Sequence, residues 1–142
     1  MPSLSTKRTV LAQLSVCLGC CCGNVNRGKP EVPLDWLKQE WRQRGLAKHV
    51  QLTISGCLGP CDLRNVASLS SSAGSVWLGN IQHRHQYRAL VQWASQIKDS
   101  GRLQPIPDDL ASLRFDPFRV ADDESLAFGG ETTLSAEIHQ RK

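Results

Sequence analysis

Hydrophobic and polar positions follow one another along this chain with two clear periods, and they lay out most of its elements before any chemistry is considered. Val10-Leu11-Ala12-Gln13-Leu14-Ser15-Val16 opens as an apolar run and then alternates Leu14 and Val16 with Gln13 and Ser15, which predicts a strand buried on both faces. A loop rich in glycine, asparagine and proline follows (Gly23, Asn24, Asn26, Gly28, Pro30, Pro33), where helix and strand are both disfavoured. Leu34, Leu37 and Trp41 then recur at helical spacing, with Pro33 at the entrance and Gly45 at the exit of a helix over 34–44. Val50, Leu52 and Ile54 alternate with Gln51, Thr53 and Ser55 and predict a second strand. Val66–Leu69 and Val76–Ile81 read as two more strands, joined through the serine-rich turn 70–75 into a β-hairpin. The stripe Tyr87, Leu90, Val91, Ala94, Ile97 predicts a last helix over 84–98, with Gly101 just beyond it.

The order strand, helix, strand, strand, strand, helix has direct topological consequences. Two strands flanking a helix are expected to be parallel neighbours joined by a right-handed crossover, and the hairpin adds an antiparallel half. The expectation is an α/β, thioredoxin-like fold: a mixed four-stranded sheet flanked by helices, with an irregular C-terminal tail. The domain is expected over 8–101. A proline-interrupted extension over 102–119 is expected to wrap it through Leu110, Leu113, Phe115 and Phe118. From 120 to 142 acids dominate and apolar spacing fades, which reads as a mobile acidic tail.

Composition sharpens this only in part. With 142 residues, 40% hydrophobic and 21% charged, the chain has the make-up of one globular domain with a modest core. No apolar run approaches the ~20 residues that cross a bilayer. The basic N-terminus is not followed by a secretory cleavage pattern, so the expected location is the cytoplasm, with no membrane partner. The net charge of +4 is uneven: residues 1–60 hold eight Lys/Arg against three acids, and residues 120–142 hold five acids against two bases. No run of five or six bases and no aromatic-interleaved basic patch occurs, so nucleic acid is not an expected partner.

The six cysteines change the picture most. Cys17, Cys20, Cys21, Cys22, Cys57 and Cys61 all fall within one 45-residue span. A disulfide scaffold spreads its cysteines along a short secreted chain, whereas such a cluster in a reducing compartment points to metal or redox chemistry. Both cysteine groups lie just past the C-terminal ends of strands expected to be neighbours, so folding should bring them to one rim. Iron–sulfur clusters want four soft, anionic ligands arriving from loops that bend around an inorganic core. Cys57 and Cys61 supply two, and Cys17 with one of the triplet supplies the others. Gly56 and Gly59 leave backbone amides free to approach sulfur. Arg27, Lys29 and Arg64 are the bases near in sequence that offset a cluster charge of about −2.

These motifs resemble those of the thioredoxin-like [2Fe-2S] ferredoxins, including a bacterial branch of ferredoxin-domain proteins, and of the small cluster-binding subunit of respiratory NADH dehydrogenases. The likeness runs over about residues 8–98. It is sharpest in Cys17-x4-Cys22, in Ser55-Gly56-Cys57-Leu58-Gly59-Pro60-Cys61, and in Cys20-Cys21-Cys22-Gly23 with Gly28-Lys29-Pro30. The resemblance implies a soluble one-electron carrier rather than an enzyme. Its [2Fe-2S] cluster would sit on Cys17, Cys22, Cys57 and Cys61, its partners would be redox proteins, and in that fold it is often a homodimer. Cys20 and Cys21 are extra to the family's pattern. They stand as alternatives to Cys22, with ligand spacing favouring Cys22, then Cys20, then Cys21.

Two other readings use the same residues. A four-cysteine zinc or metal-trafficking site shares the ligands, and Cys17-x2-Cys20 has zinc-knuckle spacing, but Cys57-x3-Cys61 is looser than the usual zinc pair. A thioredoxin-type dithiol would use Cys17-Leu18-Gly19-Cys20 after the first strand, yet no cis-proline position is evident before the third. Elsewhere, His83 and His85 read as solvated surface, and nothing converges on His49 or His139. Trp36, Trp41, Trp77 and Trp93 suit core or dimer contact better than an electron relay. Asp108-Asp109 and Asp122-Asp123-Glu124 read as solvated charge rather than acid catalysis, and no phosphate loop or dinucleotide fingerprint appears.

Overall fold

In the computed structural model, which describes residues 4–19, 22–28 and 30–120, the alternation around Leu14 becomes strand β1 (Ala12–Cys17). Ala12, Leu14 and Val16 are buried on one face, while Gln13 and Ser15 are half-buried on the other. The strand is thus fully buried on one face only, and it begins two residues later than the apolar run, leaving Val10 exposed. The run misleads because Val10 and Leu11 precede the first sheet pairing, Ala12 with Val50.

Helix α1 (Leu34–Arg44) carries the chain to β2 (Val50–Ser55), which pairs parallel to β1 with Leu14 opposite Leu52. Strands β3 (Ala67–Ser71) and β4 (Gly74–Leu78) form the hairpin, and β3 lies antiparallel to β1 with Leu14 opposite Leu69. The hairpin turn is tighter than the serine run suggests. Ser70 pairs with Ser75 and Ser71 with Gly74, which leaves Ser72 and Ala73 as the turn. Gly74 has a φ of +120, which only glycine adopts freely, and that conformation lets the chain reverse there.

Helix α2 (Arg84–Ser100) follows, then a short α3 (Asp108–Ala111) and β5 (Arg114–Phe115). The sheet order is β2-β1-β3-β4-β5. The first four strands and two helices form the expected thioredoxin-like arrangement; the fifth strand was not anticipated. Its two residues pair with Leu78 and Trp77 and cover the outer edge of β4. So short a strand has no periodicity to betray it.

The core lies between α1, α2 and one face of the sheet. Leu14, Leu37, Leu46, Val50, Leu78, Leu90, Ala94 and Ile97 are all completely buried there, each large aliphatic side chain contributing about 1.5–3 kcal/mol by leaving water. Trp41 donates its indole N–H to the Val50 carbonyl at 2.7 Å, fixing α1 on the start of β2, and Trp93 donates to the Gln104 carbonyl at 3.0 Å. Gln86 Oε1 accepts the backbone N–H groups of Gln82 and His83, closing the first turn of α2.

Cys17 has the same parity as Gln13 and Ser15, so alternation sends its side chain to the face away from the helices. There it joins a second, smaller apolar cluster with Cys22 and Val66, flanked by Leu58, Leu63, Trp77 and Phe115. Phe115 and Phe118 meet the Trp77 ring edge-on at 6.2 and 5.8 Å, so the segment after α2 builds part of this second face. Among the described residues, no helix is long and apolar enough to cross a membrane.

Candidate metal centre

The site is assembled where β1 and β2 end and β3 begins. The Cys17 N–H donates to the Val66 carbonyl at 3.0 Å and the Leu18 N–H to the Ser55 carbonyl at 3.0 Å. Residues 17 and 18 are therefore clamped between the start of β3 and the end of β2. The chain then turns back on itself, the Gly19 N–H reaching the Cys22 carbonyl at 3.0 Å. Gly23 follows with a φ of +72; a Cβ there would lie 2.8 Å from Leu18 Cδ1 and 2.9 Å from Val32 Cγ2. Glycine is required at this position both for its backbone angle and for space.

On the other side, the loop after β2 carries Cys57 and Cys61. The Gly59 N–H donates to Cys57 Sγ at 3.3 Å, the amide-to-sulfur approach that a bare backbone permits. The two sulfurs, Cys57 Sγ and Cys61 Sγ, are 3.2 Å apart and hydrogen-bonded. A 3-10 turn over Cys61–Leu63 follows, and Arg64 Nη1 donates to the Cys61 carbonyl at 3.0 Å, bringing a fixed positive charge to this limb.

The structure brings Cys17, Cys22, Cys57 and Cys61 around one small pocket, with Leu58, Gly59, Pro60 and Val66 completing the lining. None of the four is joined in a disulfide. Cys57 and Cys61 are in direct contact, and Cys17 and Cys22 are buried together in the second apolar cluster. Among the described residues no three His, Cys, Asp or Glu side chains gather tightly enough to hold a single metal ion. The pairs face a shared space instead. Cys20, Cys21 and Lys29 lie outside the described residues, as does the expected tail beyond Val120.

The four thiols differ in environment. Cys17 and Cys22 are 4% and 2% exposed, Cys61 is half-buried, and Cys57 is open to solvent. Burial, with the Cys17 hydrogen bond and nearby thiols adding to it, pushes the Cys22 thiol from its ordinary 9.0 up to about 12, against the lowering effect of the Val66 backbone amide. Cys57 moves the other way: hydrogen bonds from the Cys61 thiol and then the Gly59 N–H stabilise its thiolate. Cys57 thus ionises more readily than Cys22, which gives up its proton readily only to something that replaces it with positive charge.

Other sequence candidates remain apart from this pocket. His83 and His85 are exposed, with rings stacked at 5.6 Å, and Asp108 and Asp109 are exposed at the start of α3. Trp41 and Trp93 are core residues, Trp36 lies under the Arg84 guanidinium at 5.4 Å, and Trp77 packs in the second cluster. Sequence reasoning missed Asn65 and Val66. Val66 anchors the buried half of the site, its carbonyl accepting the Cys17 N–H and its amide lowering the pKa of the Cys22 thiol. No local pattern marks either residue, because their partners are some 40 positions away.

No family model and no curated protein matches this chain. Among solved structures, it is similar to the wild-type thioredoxin-like [2Fe-2S] ferredoxin from Aquifex aeolicus, with 17% identity, a TM-score of 0.46, and coverage of 76% of this chain and 99% of that one.

Proposed function

We propose that this chain holds a [2Fe-2S] cluster on Cys17, Cys22, Cys57 and Cys61 and acts as a small one-electron carrier of the thioredoxin-like ferredoxin family, without a substrate site of its own. The observation that carries the reading is the gathering of four thiols around one pocket, Cys17 and Cys22 on its buried side and the contacting Cys57 and Cys61 on its open side. A two-iron cluster takes two thiolates on each iron, so two pairs facing a common space suit it, and four soft donors match iron and sulfide better than a harder ion. When bound, such a cluster takes up and returns one electron.

The residues of the chain divide the remaining work. Cys17 and Cys22, sealed by Val66 and the Trp77 cluster, hold the inner side away from water. Cys57, exposed on its loop, places the outer side where a redox partner approaches. Arg64, held on the Cys61 carbonyl, puts positive charge beside an anionic centre, which favours the reduced, more negative state. The partners are redox proteins, and a homodimer is the expected assembly.

Anaerobic purification with an absorbance spectrum and iron, sulfide and zinc analysis tests this. The expected result is a red-brown protein with about two irons and two sulfides per chain. A colourless protein with one zinc overturns it in favour of a structural metal site. A metal-free protein that forms a reversible disulfide overturns it in favour of dithiol chemistry.

A further inference from the structure

Among the described residues few polar side chains are buried, and one of them stands at the joint between the two halves of the site. Asn65 is 1% exposed and sits between the Cys61 turn and β3. Its Oδ1 accepts the Gly23 N–H at 2.8 Å. Its Nδ2 donates to the Pro30 carbonyl at 2.9 Å and, more weakly, to the Tyr87 hydroxyl at 3.4 Å. One amide therefore grips both ends of the segment from Gly23 to Pro30, the segment that follows directly on Cys22. Between those ends lies a 3-10 turn over Val25–Arg27, with Val25 59% exposed.

We infer that Asn65 is a positioning residue that holds the Cys22 limb shut over the site. The physical argument is one of local opening. Lifting the segment that follows Cys22 breaks the backbone hydrogen bonds made by the Asn65 amide at both of its ends, so these bonds oppose that local opening. A buried amide whose partners are all backbone groups or core hydroxyls restrains without offering charge. It acts through Cys22 rather than on a metal. The adjacent β-strand and the Cys61 turn make Asn65 a rigid anchor, so the two halves of the pocket are held to one another through its side chain. The consequence for a bound cluster rests on the function proposed above; the tether itself does not.

The test uses the full chain as purified, with two readouts. Hydrogen–deuterium exchange by mass spectrometry follows segment 22–32 against helix α2. Iron release to a chelator, with the visible circular dichroism of the protein, follows the site. In Asn65→Ala, segment 22–32 should exchange about tenfold faster or more while α2 changes by less than about twofold, and iron should leave about tenfold faster. Asn65→Asp keeps an acceptor for the Gly23 N–H and loses the amide donors. It should protect the Gly23 end, loosen the Pro30 end, and recover part of the chelator resistance.

Unchanged exchange in segment 22–32 overturns the inference. Equal acceleration in α2 overturns it too, because Asn65 would then be an ordinary core residue. Faster exchange with unchanged iron release overturns its role at the site. If the wild-type protein holds no iron, the exchange arm still decides the tether while the cluster reading alone falls. Should Asn65→Ala not fold, Asn65→Asp decides the same question by the same two outcomes.

Discussion

Gly23 and Gly28 offer a matched pair of substitutions, because their backbones are nearly alike and their surroundings are not. Their φ angles are +72 and +74, so alanine at either position adopts a left-handed conformation costing about 1–2 kcal/mol. At Gly28 the new Cβ meets nothing within 4 Å, and that backbone term is the whole effect. At Gly23 the Cβ lands 2.8 Å from Leu18 Cδ1, 2.9 Å from Val32 Cγ2 and 3.3 Å from Val32 Cβ. The Leu18 methyl is the end of a flexible side chain and can swing. Val32 is β-branched and 6% exposed, so it yields only if the backbone around it shifts. Overpacking of that kind costs about 1–3 kcal/mol. Gly23→Ala should therefore destabilise by about 2–5 kcal/mol and Gly28→Ala by about 1–2 kcal/mol, against a total stability of about 5–15 kcal/mol for a domain. Denaturant unfolding of the metal-free protein, followed by far-ultraviolet circular dichroism, measures both. The strain also falls beside Cys22, so Gly23→Ala should lose iron that Gly28→Ala keeps. If the two variants unfold within about 0.5 kcal/mol of each other, the close packing of this turn on Val32 is not a determinant of the site.

Three further outcomes follow from the same geometry. Cys17→Ser, Cys22→Ser, Cys57→Ser and Cys61→Ser should each lose or weaken iron binding, while Cys20→Ser and Cys21→Ser keep it, since a serine hydroxyl is harder and far less acidic than a thiol. Iron content and absorbance measure this, and a bleached Cys20→Ser beside a coloured Cys22→Ser reverses the ligand assignment. In the metal-free protein, burial pushes the Tyr87 phenol from 10.0 up to about 12, as it does the Cys22 thiol from 9.0 up to about 12. Both values are raised, so the unfolded chain loses these protons first: stability is complete below about pH 9 and falls as pH rises toward 12. Tyr87→Phe should flatten the loss above about pH 10, and an unchanged alkaline slope in pH-dependent unfolding would refute that share. Truncation after Arg119 should leave iron content and the visible spectrum unchanged, because the removed residues hold no cysteine and Phe118 keeps its place on Trp77. Loss of iron in that variant would show that the acidic segment supports the domain.

Local periodicity was enough to determine the main elements and their order. Leu34, Leu37 and Trp41 do mark a helix over 34–44, and Val50, Leu52 and Ile54 do lie along a strand. A sequence of strands around one helix also forces β1 and β2 side by side, so the meeting of two cysteine loops at one rim was legible too. These are short-range consequences of side-chain period and chain connectivity. The tertiary structure alone decided the rest. It showed that the β1 parity carrying Leu14 and Val16 into the main core sends Cys17 into a separate cluster with Val66 and Trp77. It also added β5, too short to carry a period, and joined Asn65 to Gly23 across 42 positions. The difference in ionisation between Cys22 and Cys57 belongs here as well. Two residues of one type in similar loops diverge because one is desolvated beside Cys17 and the other lies in water with hydrogen bonds to its sulfur. A sequence names the groups that can ionise or donate; how much water and which dipoles surround each is a property of distant segments packed together.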